Sequence, residues 1–189
     1  MIRLAIFASG SGSNAENIVK YFSGNANVII SLLISDNPAA GVHERMRKLN
    51  VPSVTCSKND FQEVEPVLKK LAEYHIDWII LAGFLKKIPV AMLQAYPGRI
   101  INIHPALLPK YGGKGMYGMH VHEAVVAAGE KETGITIHYI NENYDEGPAV
   151  FQATCAVSPT DTPEDVANKI HALEYEHFPK VIEQLILKK

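Results

Sequence analysis

A chain of 189 residues with 47% hydrophobic side chains is long enough for one compact domain burying roughly 70% of its unfolded surface, and a second full domain would be cramped. The net charge of -2 and a pI near 6.4, with basic residues scattered apart from the pairs Lys69-Lys70 and Lys86-Lys87, exclude a nucleic-acid footprint. Cys56 and Cys155 each stand without a nearby Cys or paired His, so neither zinc spacing nor a disulfide framework is suggested, no metal is expected, and a reducing cytoplasm fits.

The apolar opening is too short for a signal core or a membrane span and reads as a buried first strand, Arg3–Ala8. Short apolar runs then alternate with helix-period segments up to His104, the pattern of βαβ units around a parallel sheet. The strands are expected at Val28–Ser35, Ser53–Thr55, Trp78–Ala82 and Ile100–His104, and the helices at Asn14–Phe22, Gly41–Leu49, Phe61–Tyr74 and Pro89–Ala95. From Pro105 to Gly118 prolines and glycines forbid a regular element, and a mobile loop is expected. A helix resumes at His120–Ala128. Gly134–Ile140 and Ala149–Val157 then read as a β-hairpin with Asp145 in its connection. In the tail, Val166, Ile170, Leu173, His177 and Val181 recur at helical spacing after Thr162-Pro163-Glu164-Asp165, which supplies an N-cap, a first-turn proline and acidic residues for the helix dipole. The fold class is α/β: a single Rossmann-like domain over 1–189, its mixed and mostly parallel twisted sheet flanked by helices and closed by a C-terminal antiparallel hairpin. A nucleotide-binding half is expected over 1–104 and an active-site half over 105–189.

Gly10-Ser11-Gly12-Ser13-Asn14 joins the first strand to the first helix, where backbone N–H groups converge on the positive end of the helix dipole. A phosphate suits that position. Gly10-x-Gly12-x-x-Ala15, with Asp36 ending the second strand, also fits a dinucleotide fingerprint, and the loop by itself does not choose between the two. The plain alternative is a tight turn with Asn14 as N-cap.

Asn102-Ile103-His104-Pro105 carries more. Residues two apart in a strand share a face, and Pro105 keeps His104 extended, so an amide and an imidazole stand side by side at the carboxyl end of a strand, where open α/β sheets hold ligands. With Asp145 they match acyl transfer through a tetrahedral intermediate: two donors for an oxyanion and a carboxylate for the proton. No nucleophilic side chain is needed if the substrate brings its own amine.

These residues resemble the folate-dependent phosphoribosylglycinamide formyltransferases of purine biosynthesis. The likeness spans nearly the whole chain and rests on Gly10-Ser11-Gly12-Ser13-Asn14, Leu81-Ala82-Gly83-Phe84, Ile101 through Tyr111, and Asp145-x-Gly147-Pro148. It implies a formyl group moved from 10-formyltetrahydrofolate, as co-substrate, to glycinamide ribonucleotide. Asn102 and His104 would bind the formyl oxygen while Asp145 supports proton transfer. Gly12, Ser13 and Asn14 would hold the phosphate, and Glu174 the ribose hydroxyls. Leu85, Lys86, Lys87 and Ile88 would form, with Asn102, the folate-binding stretch. The partners expected are small-molecule substrates, with no nucleic acid and no membrane, for a monomer or homodimer in the cytoplasm.

The segment Gly112–Gly118 departs from the family pattern in being longer and richer in glycine, and it is expected to order over the site when substrate binds. His120 and His122 diverge on a helix, which disfavours a shared metal; His138 reads as structural, and His171, one turn before Glu174, as a possible aid to the phosphate. Four alternatives share parts of this pattern. They are a formyltetrahydrofolate hydrolase, a tRNA formyltransferase, an NAD(P)-dependent oxidoreductase and a silent ligand-binding module.

Overall fold

The computed structural model describes residues 1–188. Seven strands form one sheet in the order β3-β2-β1-β4-β5-β6-β7. Its residues divide into two compact units, Met1–Ile101 with the chain end from Ile186, and Asn102–Leu185. The division falls inside the fifth strand, three residues before the boundary expected after His104.

The first unit is the βαβ half. β1 (Ile2–Phe7) pairs in parallel with β2 (Val28–Ser35) and β4 (Trp78–Leu81), and β2 pairs in parallel with β3 (Ser53–Thr55). Leu4, Ala5, Ile6 and Phe7 are all fully buried, as a central parallel strand covered on both faces requires. Phe7 meets Phe61 and Phe84 edge-on at ring-centroid distances of 6.0 and 5.3 Å. The strand order reverses between β1 and β4, so the segments leaving their carboxyl ends flank a topological switch point.

α1 (Ser13–Tyr21), α2 (Val42–Lys48) and α5 (Val90–Ala95) lie within a residue of expectation at both ends. The helix expected over Phe61–Tyr74 is instead two, α3 (Lys58–Glu63) and α4 (Glu65–Glu73). α3 starts earlier because Ser57 and Asp60 form a reciprocal capping box. It stops at Val64, whose φ of 65° takes the chain out of the right-handed helix, and Pro66 opens the next one.

In the second unit, β5 (Ile100–His104) leads through an irregular segment to α6 (Met119–Ala127), and β6 (Glu132–Tyr139) pairs antiparallel with β7 (Ala149–Ala156) as the hairpin pattern requires. The last helix, α7 (Pro163–Leu187), begins on the expected cap: the Thr162 hydroxyl accepts from the Asp165 N–H at 3.2 Å and the Asp165 carboxylate accepts from the Thr162 N–H at 2.9 Å. Its buried stripe runs Val166, Ile170, Glu174, Phe178, Ile182, Ile186, so Leu173 and His177 flank the inward face and do not form it. A spacing of four drifts slowly around a 3.6-residue turn, which carries the stripe through Glu174. Among the described residues no helix is long and apolar enough to cross a membrane.

Candidate active site

The glycine loop is built against α2. Gly12 takes φ 76° as N-cap of α1, and a Cβ there would lie 2.2 Å from a Val42 methyl carbon, so only glycine fits. The Val42 N–H donates to the Gly10 carbonyl at 3.2 Å, and Arg45 Nε to the Ser11 carbonyl at 2.8 Å; Arg45 also pairs with Glu16. Glu16 is held below the usual carboxylate range by its bonds to Lys20 and Arg45. Two cations thus offset the acid in the first turn. The cap is Gly12 rather than Asn14, which lies within the first turn, and no side chain caps the helix. Ser13 and Asn14 are half-buried beside those N–H groups, an arrangement suited to an anion.

Across the switch point, the Leu85 N–H donates to the Ser9 hydroxyl at 3.0 Å. Leu85, Lys86 and Lys87 are exposed, while Ile88 is buried. Lys86 Nζ stands 3.7 Å from Asp36 Oδ2. The acid expected to meet a ribose in the dinucleotide alternative is therefore half-buried and faces a lysine.

The second unit gathers Asn102, His104 and Asp145. His104 is buried; its Nδ1 lies 3.6 Å from Asp145 Oδ2 and its Nε2 2.7 Å from the Tyr111 carbonyl. Asp145, at φ 57° in the hairpin connection, also accepts from the Gly113 N–H at 2.9 Å. Asn102 Nδ2 is 3.0 Å from Nε2 of His138, whose Nδ1 is 2.9 Å from the Tyr139 carbonyl.

His138 thus belongs to this group, where the sequence reading had it as merely structural. Burial holds it below the ordinary histidine range, ahead of the opposing pull from the Tyr139 carbonyl and Asp145. A neutral ring donating from Nδ1 to a carbonyl has a bare Nε2. Asn102 must then present its NH2 group to His138, and the second N–H of that amide is not used by that bond. Period-2 alternation places His138 with Thr136 and Gly134 on one face of β6. That was the available signal, but only the pairing of strands says what the face meets.

The segment after His104 is pinned from β6 and β7. Thr136 Oγ1 donates to the Ala106 carbonyl at 2.7 Å and accepts from the Leu108 N–H at 3.0 Å, and Gln152 Nε2 donates to Thr136 Oγ1 at 2.9 Å.

On α7, Glu174 is buried and accepts from His171 Nδ1 at 3.0 Å, a bond that raises the His171 pKa. On α6, His120 faces outward while His122 is buried and pushed below the ordinary range, first by burial and then by the His171 charge. The two histidines diverge as the helical geometry requires.

Residues 2–182 match the formyl transferase family. The chain is 39% identical over 186 residues to the chloroplastic phosphoribosylglycinamide formyltransferase of Arabidopsis thaliana, covering 95% of this chain and 64% of that protein. It is 37% identical over 191 residues to the phosphoribosylglycinamide formyltransferase of Bacillus subtilis, covering 98% and 95%. The crystal structure of glycinamide ribonucleotide transformylase 1 from Geobacillus kaustophilus superposes with a TM-score of 0.88 at 38% identity over 98% of both chains.

The chain belongs to the formyl transferase family. The family match covers both the glycine loop and the Asn102 to Asp145 region, and it does not favour the nicotinamide alternative. The family resemblance read from the sequence holds, and so does the mostly parallel sheet. The chain spans less than two thirds of the length of the plant relatives it matches, 64% and 60%.

Proposed function

We propose that this chain transfers a formyl group from 10-formyltetrahydrofolate to the amine of glycinamide ribonucleotide in purine biosynthesis, as a cytoplasmic monomer or homodimer. The observation that carries the reading is the group formed by Asn102, His104 and Asp145, in which a carboxylate stands 3.6 Å from an imidazole nitrogen beside an amide whose NH2 orientation is fixed.

The amine lone pair attacks the formyl carbon and the C=O π electrons move onto oxygen. Asn102 Nδ2–H and protonated His104 Nδ1 donate to that oxyanion, each donor worth about 3 to 4 kcal/mol by the usual scale of oxyanion-hole deletions. The carbonyl re-forms, the bond from carbon to the folate nitrogen breaks, and Asp145 passes the proton lost by the amine to the leaving nitrogen, directly or through water. No formyl-enzyme forms. Gly12, Ser13 and Asn14 hold the ribonucleotide phosphate, Glu174 the ribose hydroxyls, and the stretch Leu85 to Ile88 the folate.

The test is an absorbance assay of formyl-folate loss with and without glycinamide ribonucleotide. Amine-dependent turnover with sequential kinetics is expected; a ping-pong pattern excludes direct transfer, and turnover without the amine points to a hydrolase. Asn102→Ala and His104→Ala should each lower kcat by about a hundredfold or more, whereas Ser13→Ala should mainly raise KM for the ribonucleotide.

A further inference from the structure

His104 has two nitrogens and only one of them faces Asp145. Its Nε2 lies 2.7 Å from the Tyr111 carbonyl, an oxygen that can only accept, so Nε2 keeps its proton in both the neutral and the cationic ring. The proton that comes and goes is therefore the one on Nδ1, 3.6 Å from Asp145 Oδ2.

A backbone carbonyl is selecting the reactive nitrogen, and that carbonyl is held in an unusual place. Tyr111 has φ 55°, a conformation that side-chain-bearing residues seldom take and that persists only where the surroundings impose it. The side chain is held on the far side of the residue. The Tyr111 hydroxyl donates to Glu130 Oε1 at 2.9 Å, and Lys110 Nζ reaches the same oxygen at 2.9 Å. Glu130 is itself placed by the turn that ends α6, where Gly129 takes φ 64° and the Glu130 N–H donates back to the Val125 carbonyl at 3.3 Å. Its bond from Lys110 holds Glu130 below the usual carboxylate range, and burial raises the Tyr111 phenol, so the pair stays acceptor and donor across neutral pH.

We propose that Glu130 is a positioning residue for formyl transfer: by clamping the Tyr111 ring it fixes the Tyr111 carbonyl on His104 Nε2 and so commits Nδ1 to the reaction. Glu130 touches neither substrate. The proposal rests on the formyl-transfer reading above for its kinetic consequence, and on the hydrogen bonds alone for its effect on the imidazole.

The experiment compares Glu130→Ala, Tyr111→Phe, the double variant and Glu130→Gln, which keeps an acceptor oxygen. Glu130→Ala and Tyr111→Phe are each expected to lower kcat by about tenfold while KM for both substrates stays within about twofold, because orientation of a transition-state donor is lost and substrate binding is not. The double variant should be no worse than either single one, since both break the same link. Glu130→Gln should restore kcat to within about twofold of the parent.

Alongside, the 15N spectrum of histidine-labelled protein, recorded at alkaline pH so that the rings are neutral and with His104 assigned by the signal lost in His104→Gln, should show the Nε2–H tautomer alone in the parent and a mixture of tautomers in Glu130→Ala. Unchanged kcat in both single variants, additive losses, or a single tautomer in Glu130→Ala would each overturn the proposal. Absence of any formyl transfer by the parent would defeat the functional reading, and the 15N comparison would still decide the clamp.

Discussion

Replacing His138 tests the site through a group that acts in the proposed mechanism by way of Asn102. His138 Nε2 accepts from Asn102 at 3.0 Å only while the ring is neutral, and burial favours that state. Protonation would set an N–H against an N–H and force the Asn102 amide to turn, withdrawing the donor proposed for the formyl oxygen. Asp145 Oδ1 at 3.8 Å and the Tyr139 carbonyl pull the His138 pKa up, and the His104 charge pulls it down with burial; burial is the largest influence, so the folded value lies below the ordinary one of about 6.5.

His138 is neutral in the fold and costs nothing above about pH 6.5; below it the unfolded chain takes up a proton the fold refuses, so stability declines as pH falls from there toward the folded value. Activity should fall on an acid limb lying lower still, at the folded value itself. In His138→Gln an amide oxygen can accept from Asn102 without titrating, so the limb set by His138 should vanish while kcat at neutral pH stays within about threefold. His138→Leu removes the acceptor altogether. The freed amide then loses a bond worth about 1 kcal/mol net and samples the wrong face, for a loss of about tenfold in kcat, well short of the hundredfold or more expected when the donor itself is deleted. The assay is kcat by formyl-folate absorbance from pH 5 to 8 with both substrates saturating. Superimposable acid limbs in the parent and His138→Gln, or a His138→Leu protein with parental kcat, would refute the reasoning.

Gly12→Ala should destabilise the protein by about 2 to 5 kcal/mol, combining a left-handed φ with a Cβ 2.2 Å from Val42, whereas Gly10→Ala, with nothing within 4 Å, should be close to neutral; thermal melts of the pair check this. Phe178→Ala empties a fully buried position on α7 and should cost about 3 to 5 kcal/mol, a fall in Tm on the order of 10 °C by calorimetry. Gly147→Ala would place a Cβ 1.8 Å from the Tyr139 carbonyl oxygen and should lower kcat by about tenfold or more by displacing the connection that carries Asp145, as steady-state kinetics would show.

Much of the sheet could be read from local pattern. β2, β3 and β5 have the expected ends because apolar runs bounded by Gly, Pro and Asn leave little freedom. The misses have separate causes. Ser57-x-x-Asp60 is a capping signal in its own right, but the apolar period beginning at Phe61 masked it. Gly12 as a cap in place of Asn14 reflects the close approach of Val42, a contact remote in sequence. On α7 the choice of Leu173 put an apolar residue where the buried face carries Glu174, and the four-residue step from Leu173 then led to His177 in place of the buried Phe178. A buried carboxylate contradicts the usual partition and is intelligible only with His171 beside it.

The site divides in the same way between what a strand's period dictates and what its neighbours dictate. Asn102 and His104 share a face by geometry alone, so their proximity was fixed before any folding was considered. The sequence is silent on which atoms of those side chains are used, because that choice is made by two backbone carbonyls. The Tyr139 carbonyl accepts a hydrogen bond from Nδ1–H of His138, which leaves Nε2 bare and turns the Asn102 amide; the Tyr111 carbonyl accepts from Nε2–H of His104, which leaves Nδ1 to Asp145. Gly147 lies against that same Tyr139 carbonyl, so the glycine that lets the hairpin connection come close also sets the approach of Asp145 to the histidines. Side-chain identity therefore supplies the donors and the carboxylate, and main-chain geometry in the segments after β5 and β6 decides their protonation and aim.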